Sequence, residues 1–135
     1  MSQPRDDRQK ELFRPALDLI IDRSHPLVRL AEKIDWPSIE GKLAEIYSPG
    51  AGHPPLPARL MAGLLILKHM HALSDAALCE RWLENPYFQY FCGEEVFRHQ
   101  LGFSRSSLSR WRRRLGAERL GALIPREANS AKLRD

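Results

Sequence analysis

A chain of 135 residues, 28% charged and 43% apolar, has the composition of one globular domain, long enough to bury a shared core and too short for two full domains. Its most apolar uncharged run, LMAGLLIL at 60–67, is far below the roughly 20 residues of a membrane span. MSQPRDDRQK at the start has no apolar run behind its charges, so no signal peptide is expected and a cytoplasmic location follows by default.

The net charge of +4 is unevenly placed. Residues 1–97 hold eleven basic against fourteen acidic residues, 98–119 hold seven against one, and 120–135 hold three against two. One basic segment on a mildly acidic body points to a localised anionic partner, nucleic acid first, rather than to diffuse solubilising charge.

Hairpin dipeptides such as Asn-Gly and Asp-Gly are absent, and the periodicity predicts an all-α fold, a small helical bundle. Residues 1–24 read as a polar, partly disordered arm around the apolar cluster ALDLII at 16–21. SHPLVRLAEKIDW then starts a helix, with Ser24 expected as N-cap, Pro26 in the first turn, and Leu27, Leu30, Ala31 and Ile34 on one face. WPSIEGKLAEIY restarts the pattern through Ile39, Leu43, Ile46 and Tyr47. SPGAGHPPLP at 48–57, with four prolines and two glycines, predicts a stiff loop.

ARLMAGLLILKHMHAL is apolar on almost every side and predicts an enclosed central helix. Ser74 is placed to cap SDAALCERWLEN, with Asp75 near the positive end of its dipole and Ala77, Leu78, Trp82 and Leu83 as the inward face. PYFQYFCG adds an aromatic cluster ended by Gly93, and EEVFRHQLGF predicts a loop leading to the basic segment.

SSLSRWRRRLG at 106–116 contains four arginines and no acidic residue. At 100° per residue, Leu108, Trp111 and Leu115 fall on one narrow stripe, and Ser106, Arg110 and Arg113 lie opposite, flanked by Ser109 and Arg114. Ser104 or Ser106 is expected to cap the helix and Gly116 to close it. Arginine forks suit guanine edges or phosphates, and short hydroxyl residues let a first turn approach the major groove. The pattern therefore predicts a recognition helix for double-stranded DNA. Arg110 and Arg113 with Ser106 and Ser109 are the expected groove contacts, and Arg105, Arg112 and Arg114 the expected phosphate contacts. A solvated charged face is the alternative, although such faces usually mix signs.

Other chemistry is weaker. His69 and His71 are two apart and point to different sides of a helix, unlike the i, i+4 pair of a helical zinc site. Cys79 and Cys92 read as core thiols without a bridge, and Trp82 and Trp111 as core. Glu94 and Glu95 read as solvated. Stacking of residues 87–91 on single strands lacks interleaved basic residues. No catalytic residue, metal site or cofactor is expected.

From about residue 25 to 120 the chain resembles the N-terminal domain of insertion-sequence-five group DDE transposases. HPLVRLAEKIDW, GHPPLPARLMAGLLILKHMHALSDAALCERWLENPYFQYFCGEE and SSLSRWRRRLG carry the resemblance, in the family's order and spacing. It implies a helical domain with a helix-turn-helix-like DNA-binding element that holds the terminal inverted repeats of a mobile element. Members often have Asp where Ser104 stands; either residue caps a helix. Members also continue into an RNase H-like domain with three carboxylates and two metal ions, whereas here 121–135 reads as a short divergent tail after Pro125. The resemblance thus implies a truncated form that does not itself cut or join DNA. Pairing with full-length transposase to modulate transposition, and a remnant without a role, are the alternatives.

Overall fold

The computed structural model describes residues 16–47 and 56–132; the loop expected at 48–57 lies outside the described residues up to position 55. Its helices are α1 Leu17–Ile20, α2 Pro26–Lys33, α3 Trp36–Tyr47, α4 Ala58–His71, α5 Asp75–Glu84, α6 Pro86–Phe91, α7 Arg105–Leu115, α8 Ala117–Leu123 and α9 Arg126–Lys132. The fold is all-α, and an isolated bridge between Ala16 and Val96 is the sole β pairing among the described residues.

The middle of the bundle is α4, whose residues from Leu60 to Leu67 and Met70 are all buried. Its uniformly apolar surface is matched by helices around it, since α3, α5 and α9 each pack against it. Gly63 is needed on this helix because a Cβ there would stand 2.6 Å from the Cys92 sulfur and 2.8 Å from the Cys92 Cα. The missing side chain lets the end of α6 lie directly on α4. There Trp36 meets Phe91 edge-on, and the half-buried Arg59 stacks its guanidinium over Trp36 and donates Nε–H to the Phe91 carbonyl at 3.2 Å. Burial lowers the Arg59 pKa.

Caps follow local chemistry. Ser74 and Ser104 accept from the backbone N–H three residues on, at 3.0 and 3.1 Å, and Asn85 accepts from Tyr87 and Phe88. At α2 the cap is His25, not the expected Ser24. The His25 Nδ1 accepts from the Leu27 N–H, while the Asp22 carboxylate takes both the N–H and the hydroxyl of Ser24. Asp22 holds Ser24 in a local turn ahead of the helix, and the His25 ring nitrogen takes the helix N–H. On α5 the buried residues are Leu78, Cys79 and Trp82, with Ala77 and Leu83 only half-buried, because the face turns toward α7 as well as α4.

Both ends of the described chain are packed. Leu17 and Ile21 are buried, and Leu17 N–H donates to the Glu95 carbonyl at 2.9 Å. Residues 16–24 are thus tied to the domain rather than trailing from it; residues 1–15 lie outside the described residues. The Tyr87 hydroxyl accepts from Asp22 N–H and stacks its ring on His25 at 3.7 Å, and the Tyr90 hydroxyl accepts from Arg23. The aromatic cluster therefore holds the N-terminal segment and the core. Past Pro125, α9 packs on α4 and α2, with Ala128 buried and His69 bonded to Asn129 at 2.8 Å, and Leu123 and Ile124 just before the proline are buried too. Up to residue 132 the segment read as a divergent tail belongs to the bundle. No described helix is long and apolar enough to cross a membrane.

Candidate nucleic-acid interface

Helix α7 begins at a serine cluster. The Ser104 oxygen caps the Ser107 N–H, its hydroxyl donates to Ser107 Oγ at 2.8 Å, and Ser106 Oγ lies 3.2 Å away. Gly116, at φ +85°, closes the helix with its N–H on the Arg112 carbonyl. Leu108, Trp111 and Leu115 are buried, so the apolar stripe anchors α7 as its spacing requires.

Two of the expected contact residues are occupied within the fold. Asp75, the first residue of α5, accepts from Ser109 Oγ at 2.5 Å, from Arg112 Nε at 3.2 Å and from Arg112 Nη2 at 2.6 Å. Lys68 on α4 pairs with the same carboxylate at 3.2 Å. Burial by itself would raise the Asp75 pKa; the hydrogen bonds from Arg112, Ser109 and Lys68 outweigh it and hold the group down to about 2. Lys68 also donates to the Leu73 carbonyl at 2.6 Å, bracing the turn between α4 and α5, where Ala72 is left-handed. One carboxylate therefore joins three helices and fixes the rotation of α7 against the bundle.

Arg105, Ser106, Arg110, Arg113 and Arg114 are exposed. Arg105 lies 3.9 Å from Glu80 on α5, with both side chains more than half exposed. At 100° per residue Arg105, Ser109 and Arg112 share the flank turned to α5, while Ser106, Arg110 and Arg113 form the outward stripe with Arg114 at its edge. The α5 acids thus neutralise one flank and leave the outward stripe cationic.

The element before α7 is not a helix joined by a tight turn of three or four residues, the form of a short helix-turn-helix. Coil runs from Cys92 to Ser104, and Gln89 on α6, wholly buried, holds it. The Gln89 amide donates to the carbonyls of Trp82 and Arg98, and its Oε1 accepts from Arg98 N–H at 2.7 Å. The i, i+4 pair of Arg98 with Glu94 at 2.6 Å lies beside it.

Residues 15–114 match the family model described as Transposase domain (DUF772). The chain belongs to this transposase-domain family. A protein described as "Uncharacterized protein ORF8 in nfe locus", from Rhizobium meliloti, is 42% identical over 123 residues, covering 91% of this chain and 59% of the relative. The chain thus spans well under two thirds of that relative's length. No solved structure matches it.

In this transposase domain the matched region ends within α7, one residue before Leu115. Among the described residues, no group of three or more His, Cys, Asp or Glu side chains is placed to hold a metal ion. Cys79 and Cys92 are free and buried, and burial pushes both thiols up. Sequence reasoning assigned Asp75 only a favourable place at a helix start and passed over Gln89. The partners of Asp75 stand 34 and 37 residues later, a separation that no local spacing rule reaches. An uncharged polar residue amid the apolar PYFQYF was the one available signal for Gln89.

Proposed function

We propose that this transposase domain binds double-stranded DNA with the outward stripe of α7, holding the terminal inverted repeats of a mobile element. Arg110 and Arg113 with Ser106 are the groove contacts, Arg114 is a flanking phosphate contact, and Arg105 becomes one when a phosphate displaces its long, exposed pairing with Glu80. Ser109 and Arg112 leave the contact set and become the residues that orient the helix. The observation that carries the reading is the exposure of Ser106, Arg110 and Arg113 on a helix whose opposite stripe is buried and whose Arg112 is already paired with Asp75. Such a stripe is stabilised by an anion, because its neighbouring arginines otherwise repel. The reading gives the domain DNA contact and no cleavage chemistry.

The test is a binding assay with duplexes carrying the ends of an element and with scrambled duplexes, over a series of salt concentrations. Selective binding that weakens steeply with salt and is lost in an Arg110→Ala, Arg113→Ala double variant supports the reading. Equal binding to every duplex reduces α7 to a general polycation, and no binding at low salt removes the reading.

A further inference from the structure

Helix α7 is anchored on two sides, by the buried stripe Leu108, Trp111 and Leu115 and by the Asp75 carboxylate on Ser109 and Arg112. Its roll against the bundle is therefore fixed, and with it the line of side chains that faces away. At 100° per residue, Ser106 and Arg113 fall within about 15° of the direction opposite the buried stripe, and Arg110 within about 50°. Arg105 and Arg114 fall about 90° to either side of that direction. A helix laid in a groove turns its central line to the base edges and its flanks to the phosphate backbones. Arg110 and Arg113 are exposed, and neither forms an ion pair with another described residue, so both guanidinium forks are available to a base.

The composition of α7, RSSLSRWRRRL, decides which base. Guanine offers its O6 and N7 to an arginine fork, whereas adenine is matched by Asn or Gln and cytosine by Asp or Glu. None of those four residue types occurs on α7. A serine hydroxyl both donates and accepts, and so discriminates little. Arg110 and Arg113 are about 4.5 Å apart along the helix axis, comparable with the base-pair step of about 3.4 Å, and residues three apart on a groove helix meet successive bases. Resting on the DNA reading of α7, we propose that its preferred duplex carries two guanines in neighbouring base pairs, one taken by Arg110 and the other by Arg113. The pair facing Ser106, beside that of Arg110, is free to vary.

The experiment is selection of bound duplexes from a random library by the whole chain, followed by affinity measurements on the selected duplex. A motif with neighbouring guanines is expected. Replacing either guanine by 7-deazaguanine, which keeps the base pair and removes the N7 acceptor, should weaken binding about tenfold. Arg110→Gln and Arg113→Gln should each relax the requirement at one, and a different, pair of the doublet and turn the preference there toward adenine. Loss of folding would not move the base preference from one pair to the other, and unchanged thermal unfolding curves check it directly. A selected motif without neighbouring guanines, indifference to 7-deazaguanine, or variants that alter the same pair or neither overturns this inference and leaves the DNA reading of α7 standing. Absence of binding to any duplex at low salt overturns both.

Discussion

Arg112 on α7 and Asp75 at the start of α5 meet through two hydrogen bonds, with Nη2 to Oδ2 at 2.6 Å and Nε to Oδ1 at 3.2 Å. The fork matches a carboxylate in the geometry that gives a charge-assisted pair its orientation. Because Ser109 and Lys68 use the same carboxylate, its loss leaves two cations facing each other across a half-buried contact. Asp75→Asn is expected to destabilise the domain by about 1–2 kcal/mol, after allowing for solvent screening. Chemical denaturation of the two proteins measures the difference.

The same pair sets an acid limit. The folded pKa of Asp75, about 2, lies below the ordinary carboxylate value of about 4 in an unfolded chain. The unfolded state therefore binds the proton first as pH falls. The stabilisation is complete above about pH 4 and drains away between about 4 and 2. Denaturation midpoints across that window should fall more steeply for the parent than for Asp75→Asn. Parallel curves would show that Asp75 contributes no acid sensitivity.

Gly63→Ala should cost about 1–3 kcal/mol, the usual penalty of overpacking. The new Cβ would meet both the sulfur and the Cα of Cys92. Adding Cys92→Ala removes the sulfur contact but leaves the backbone contact at 2.8 Å, so the double variant should recover only part of the loss. Full recovery would mean that the backbones do not approach as closely as described.

Gln89→Leu replaces a buried amide that satisfies Trp82 and both backbone groups of Arg98. Leaving such groups unpaired costs about 2 kcal/mol or more. Hydrogen exchange at the Arg98 amide should quicken before the global unfolding rate changes, since the loop from 92 to 104 loses its internal tie. Unchanged protection at Arg98 would assign the loop another support.

The bundle was legible because its signals are local. The apolar stripe Leu108, Trp111, Leu115, the caps at Ser74 and Ser104, and the all-round apolar α4 each follow from spacing within one segment. What escaped depends on segments distant in sequence. Ser109 and Arg112 were expected as DNA contacts, and it took the position of α5 to show that Asp75 claims them. Ser24 is not the cap because its hydroxyl is tied back to Asp22 and the His25 Nδ1, one residue nearer the helix, accepts the Leu27 N–H. Ala128 was read as tail because a proline followed by a few polar residues hides a short helix that packs on α4 and α2.

Arg112 and Arg113 are adjacent in sequence and should fail in opposite ways. Arg113 is exposed on the outward stripe, whereas Arg112 is held by Asp75. If α7 reads DNA, Arg113→Ala should lose about 1–3 kcal/mol of discrimination between element ends and scrambled duplex and leave the unfolding curve unchanged. Arg114→Ala, removing a phosphate contact, should weaken all duplexes alike and reduce the salt slope by about one. Arg112→Ala should instead lower the denaturation midpoint, and its loss of affinity should be recovered under conditions that restore folding. Binding isotherms measured beside denaturation curves separate the three. If R112A and R113A lose affinity equally while both remain fully folded, Arg112 contacts DNA after all, and the division of labour assigned to α7 is wrong.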